Sequence, residues 1–127
     1  MKKINILLLS IFTVLLTACS GSETYRGIWK ATDTYGAKYE IVFDAKNFTV
    51  KDSLGEIKKY DYTQNSVNIE NSVATYGIKL KDGRGYQINF PKADDETMGL
   101  IKDENNKPLY TISRTAYVGY EDVFKLN

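Results

Sequence analysis

From Tyr25 onward apolar and polar positions alternate, the signature of strands with one buried face, because successive side chains of an extended chain point to opposite sides. Tyr39, Ile41 and Phe43 alternate with Lys38, Glu40 and Asp44, and Phe48 and Val50 alternate with Asn47, Thr49 and Lys51. The same period returns at Tyr60 and Tyr62, Val67 and Ile69, Tyr76, Ile78 and Leu80, Tyr86, Ile88 and Phe90, Met98 and Leu100, and Tyr110 and Ile112. Turn-forming clusters separate these runs: Asp33 to Gly36, Asp44 to Asn47, Asp52 to Gly55, Gln64-Asn65, Asp82 to Gly85, Ala93 to Glu96 and Asp103 to Pro108. Asp, Asn and Gly tolerate the left-handed backbone of tight hairpins, so each cluster predicts a turn.

The sum is an all-β chain, an antiparallel meander of eight or nine short strands over residues 25–127. So many short strands must hide their edges. Closing the sheet into a small barrel does so directly, and a β-sandwich is the alternative. Pro91 and Pro108 fall at the ends of runs, where a missing ladder donor does least harm. No amphipathic helix of useful length is readable, and the tail from Gly119 to Asn127 fits either a last strand or one helical turn.

Ahead of the alternating region lies a different pattern. Met1-Lys2-Lys3 is basic, Ile4 to Leu16 is apolar apart from Asn5, Ser10 and Thr13, and in Leu16-Thr17-Ala18-Cys19 a leucine and two small residues precede a thiol. The apolar stretch is too short for a comfortable membrane span and has the layout of an export signal. Leu16 to Cys19 resembles the bacterial lipobox, which implies removal of residues 1–18 and attachment of a diacylglycerol to Cys19. Two acyl chains, at about 0.8 kcal/mol per buried methylene, make such an anchor stable. The resemblance therefore implies a lipoprotein held to the cell membrane on its extracytoplasmic face, with Ser20 to Thr24 as a flexible tether of small polar residues. The Lys- and Asn-rich, Arg-poor composition resembles that of AT-rich Gram-positive bacteria, which favours the outer face of a plasma membrane.

At the start of the first strand Gly27-Ile28-Trp29 resembles the Gly-x-Trp that opens lipocalins and related calycin barrels. In those families the Trp closes one end of the barrel beneath a late Arg. The resemblance implies that role for Gly27, Trp29 and Arg114. The second lipocalin signature and a long terminal helix are absent, and the mature chain is shorter than an ordinary lipocalin. The other reading of Trp29 is a core aromatic of any β domain.

Composition narrows the chemistry. Removing the first 18 of 127 residues leaves 109, a one-domain length. Lys2 and Lys3 depart with the signal, so 17 basic residues become 15 against 16 acidic, a net charge of −1. Near-neutrality argues against a nucleic-acid partner and against strong electrostatic attraction of the chain as a whole to anionic lipid headgroups. With no histidine, and with the single cysteine assigned to the lipid, the usual general base, metal ligand and thiol nucleophile are all missing. The acidic clusters Asp94-Asp95-Glu96 and Asp103-Glu104 match no EF-hand pattern and read as solvated turns, so neither a metal nor another cofactor is expected. Asp82-Gly83-Arg84-Gly85 precedes no helix and reads as a hairpin turn rather than a phosphate loop.

The ten tyrosines are more informative. Tyr39, Tyr60, Tyr62, Tyr76, Tyr86 and Tyr110 lie in phase with apolar neighbours, and phenols lining an interior can hold an apolar ligand while orienting its polar end. They can equally fill a closed core. The expectation is a non-enzymatic, monomeric surface lipoprotein that binds a small lipophilic molecule or membrane component in a Tyr-lined barrel. The alternative is a solid barrel whose exposed loops bind an envelope protein, in the manner of an inhibitor, immunity or exclusion module.

Overall fold

The structure, a computed structural model, describes residues 20–124. The expected signal segment and the lipidation at Cys19 lie outside the described residues. Eight antiparallel strands form one closed barrel: β1 (Gly27–Asp33), β2 (Lys38–Phe43), β3 (Asn47–Lys51), β4 (Ile57–Glu70), β5 (Val73–Leu80), β6 (Gly85–Phe90), β7 (Met98–Asp103) and β8 (Pro108–Ser113). Each strand pairs with the next. The ring is completed where Lys30 to Asp33 of β1 lie opposite Ser113 to Tyr110 of β8, so the barrel has no free edge along that seam. The inward side of each strand carries the predicted alternation, with Trp29, Ile41, Phe43, Ile78, Ile88, Phe90 and Ile112 at most 2% exposed.

The eight-strand barrel differs from the predicted pattern at β4. Gln64-Asn65, expected as a turn, is a bulge inside one 14-residue strand that joins the Tyr60 and Val67 runs. The register shifts between Gln64 and Ser66, and the extra residue fits because Asn65 and Ser66 crowd the space where Gly77 on β5 has no side chain. The real turn is the two-residue link Asn71-Ser72. Both residues have positive φ, at 53° and 64°, the type I′ geometry that matches strand twist. The tail contains a short 3-10 turn, Tyr120–Phe124, which buries Val123.

One end of the barrel is plugged. A 3-10 turn, Glu23–Tyr25, carries Tyr25 into the opening, where it is fully buried. Its ring lies 5.2 Å from both Phe43, edge-on, and Tyr76. Trp29 donates from Nε1 to the Tyr25 carbonyl at 2.8 Å. Over the indole lies Arg114, its guanidinium carbon 3.6 Å from the ring centroid. Its Nη1 donates to the Ile28 carbonyl at 3.1 Å, and Nη2 donates to Thr24 and Arg26 carbonyls at 3.1 and 2.8 Å. Burial lowers the Arg114 pKa, but a guanidinium stays charged at any physiological pH. Gly27 is required twice here: its φ is +101°, and a Cβ would approach Arg114 Nη1 to 3.1 Å.

Ser20 to Thr24 is not the flexible tether that its composition suggests. Gly21 is buried and donates to the Ala45 carbonyl at 2.7 Å, while Ser22 donates from both N and Oγ to Gln64 Oε1 at 3.0 and 2.9 Å. Small polar residues suit this place because they lie flat under Tyr62 and satisfy Gln64, and solvation is only one use of such a composition.

Replacing Arg114 with Ala removes three hydrogen bonds from a charged donor and the contact over Trp29. The expected loss is about 2–4 kcal/mol of unfolding free energy in denaturant titration. Arg114→Lys recovers only part of it, because an ammonium cannot lie flat on the indole while reaching three carbonyls.

Candidate functional site

Where the first end is solid, the opposite end holds a cavity of about 570 Å³, within the range of small-molecule sites. Hairpin turns β1–β2, β3–β4, β5–β6 and β7–β8 form its rim. Three of these turns share one construction. Asp33, Asp52 and Asp103 each open a turn whose fourth residue, Gly36, Gly55 or Asn106, has φ of 86°, 86° or 66°. Each Asp Oδ1 accepts two turn amides, at 2.9 Å from Tyr35 and Ala37, 2.9 and 3.0 Å from Leu54 and Glu56, and 2.8 and 3.0 Å from Asn105 and Lys107. Such side-chain bonds stiffen the rim at turns that the Asp, Asn and Gly clusters predict.

The six candidate tyrosines divide between the two ends. Tyr39, Tyr60, Tyr86 and Tyr110 line the cavity, above a floor that includes Ile41, Phe48, Ile78 and Ile101. Tyr62 and Tyr76 belong to the plug, 4% and 5% exposed. Tyr62 donates to the Asp44 carbonyl at 2.5 Å and Tyr76 to Thr24 Oγ1 at 3.1 Å, so both hydroxyls are committed to structure.

Within the cavity the phenols differ in what they have left to give. Tyr39 donates to Asp33 Oδ2 at 3.2 Å and stands edge-on to Tyr110 with centroids 5.3 Å apart. Tyr86 accepts from Arg84 Nη1 at 3.2 Å, and the same guanidinium lies 5.5 Å from the Tyr60 ring. Arg84 is held by Asp82 in an ion pair of 2.8 Å, and its hydrogen bonds keep the Asp82 carboxyl below its usual pKa. Tyr60 stacks on Phe48 at 5.1 Å. Among the described residues the hydroxyls of Tyr60 and Tyr110 have no protein partner, although both face the cavity. They are the donors available to a guest. Around the mouth, Asp33, Asp52 and Glu56 balance Lys58, Arg84 and Lys107, so the rim does not select one sign of charge.

In each acidic cluster one carboxylate is engaged by its own turn. Asp95 Oδ1 accepts from Thr97 N and Oγ1 at 3.0 and 2.5 Å, which lowers its pKa, and Asp103 is occupied by its own turn. Among the described residues no three acidic, Cys or His side chains gather in a way that holds a metal ion. No protein-family model, curated protein or solved structure matches the chain.

Sequence reading missed Tyr25, because one aromatic ahead of the first strand carries no periodicity. It also missed the rim acids, although the repeated Asp-x-x-Gly spacing at Asp33 and Asp52 was a usable signal.

Burial raises the pKa of Tyr25, Tyr62, Tyr39 and Tyr110, with Tyr39 further raised by the Asp33 carboxylate. A raised folded-state pKa stabilises below the unfolded value of about 10 and is lost as pH rises beyond it, because the unfolded chain releases these protons first. The expected melting temperature is therefore insensitive to tyrosine ionisation up to pH ~9 and falls steeply above pH ~10, together with a late step in tyrosinate absorbance. Tyr110→Phe should make that fall shallower.

Proposed function

We propose that the protein is a non-enzymatic lipoprotein, anchored through Cys19 on the extracytoplasmic face of the cell membrane, whose barrel binds a small lipophilic molecule at its open end. The observation that carries this reading is the cavity: an apolar floor, four tyrosine walls, and two phenol hydroxyls without a partner among the described residues. A guest with an apolar body and one hydrogen-bonding end fits that arrangement. The body gains from area removed from water, at about 25 cal/mol per Å², and the polar end finds Tyr60 and Tyr110. Net charge near zero and a mixed rim favour a neutral or zwitterionic guest over a strongly charged one.

A second reading has its own support. Tyr35 and Leu54, at the tips of two rim turns, are 95% and 92% exposed, and large side chains so placed suit a protein partner. In that case the rim is the site and the cavity is incidental.

Native mass spectrometry of the lipidated protein, released from detergent micelles after exposure to a lipid extract of its own membrane, separates the two. The cavity reading expects a discrete adduct that Val50→Trp abolishes by filling the space, and that Tyr110→Phe weakens about fivefold for one hydrogen bond of about 1 kcal/mol. An adduct unaffected by Val50→Trp, or no adduct at all, overturns it. Loss of a captured protein on Tyr35→Ser with Leu54→Ser then establishes the rim.

A further inference from the structure

The described chain begins in an open groove on the outer wall of the barrel. Ser20 lies there with Lys46, Asp61, Thr63, Lys79 and Lys81, around a volume of about 750 Å³. β4 creates the groove. Its first half pairs with β3 up to Asp61, and its second half pairs with β5 from Tyr62 onward, so the β2–β3 turn bearing Lys46 and the end of β5 bearing Lys81 meet at the same point of one strand. Tyr62 donates its amide to the Lys46 carbonyl at 3.0 Å and Lys81 donates its amide to the Asp61 carbonyl at 3.1 Å, which locks that meeting in place.

Lys46, Lys79 and Lys81 are exposed, and the only ion pair among the described residues is the one between Arg84 and Asp82. Three ammonium groups against the one lining carboxylate, Asp61, give this wall a local excess of positive charge on a chain whose expected mature charge is close to zero.

We propose that this wall docks on the anionic phospholipid headgroups of the bilayer that holds the Cys19 anchor, an inference that rests on the lipoprotein reading. The geometry leaves little choice of surface. Gly21 is fastened to Ala45, and Arg26 Nε grips the Gly21 carbonyl at 2.7 Å, so no slack lies between barrel and anchor. The Cα atoms of Cys19 and Gly21 are separated by two peptide units, at most about 7.6 Å. A lipid on Cys19 therefore enters the membrane beside the groove, and the three lysines stand within a Debye length of the headgroups. Docking also fixes how the cavity is presented. Leu80 borders both groove and cavity, and the next turn carries Arg84 at the mouth, so one edge of the mouth lies toward the membrane surface.

The test uses the full lipidated chain. Cys19 is the sole natural cysteine and is blocked by its thioether, so an engineered cysteine is the only free thiol. Thr63→Cys places a fluorophore on the groove, and Ala116→Cys places one beyond β8, across the barrel. In phosphatidylglycerol vesicles carrying a headgroup nitroxide, quenching at position 63 is expected to exceed that at 116 by about threefold or more. Lys46→Gln with Lys79→Gln and Lys81→Gln collapses this contrast, since each lysine near an anionic surface is worth about fivefold in binding, and pure phosphatidylcholine does the same. Equal quenching at both positions in the anionic vesicles overturns the docking while leaving the anchor intact. A mature mass without the diacylglyceryl group overturns the anchor, and this inference with it.

Discussion

Arg114 on Trp29 is the contact on which the rest of the architecture depends. A meander of eight strands becomes a barrel only if its first and last strands meet, and the Arg114 side chain begins where β8 ends and finishes on carbonyls of Ile28 in β1 and of Thr24 and Arg26 just before it. One planar cation thereby satisfies backbone acceptors that would otherwise face an apolar plug, and covers the indole that fills the bottom. Trp29 holds Tyr25 through its carbonyl, and Tyr25 fills the space between Phe43, Tyr62 and Tyr76. Each member of the chain is placed by the one before it.

A plug built at one end leaves the other end open. At the plugged end Tyr25 packs with Phe43, Tyr62 and Tyr76, and Trp29 packs with Phe90. At the far end the inward positions belong to Tyr39, Tyr60, Tyr86 and Tyr110, which are long enough to line a wall but tethered by their hydroxyls or neighbours so that they do not collapse across it. Asp33 holds Tyr39, and the Asp82–Arg84 pair holds Tyr86. The same residue type therefore serves as filler at one end and as lining at the other.

The bulge in β4 links the interior to the outer wall. By shifting register between Gln64 and Ser66, β4 aims Gln64 at Ser22 and Tyr25, which fastens the N-terminal strap, while the strand runs on to the turn at Asn71. A strap fastened in this way sets where the chain leaves the domain, beside Lys46 and Lys79. The position of Ser20 and the lysine-lined wall thus share one structural origin.

Period-two alternation and the Asp, Asn and Gly clusters were sufficient to read an all-β meander, because strand burial is a local property written in every second residue. Gly27, Trp29 and Arg114 were legible only through the resemblance of Gly27-Ile28-Trp29 to the motif that opens lipocalin-like barrels, and the structure sets Arg114 over the Trp29 ring. What the sequence could not express is anything that depends on which strands become neighbours. Gln64-Asn65 looks the same as a turn or as a bulge until Gly77 is known to lie opposite. Ser20 to Thr24 looks like a tether until Gln64 presents an acceptor. Six tyrosines with the same alternation separate into plug and cavity only when the Tyr25 strap closes one end. Those outcomes are decided by long-range packing, in which the space left by one side chain determines the role of another far away in the chain.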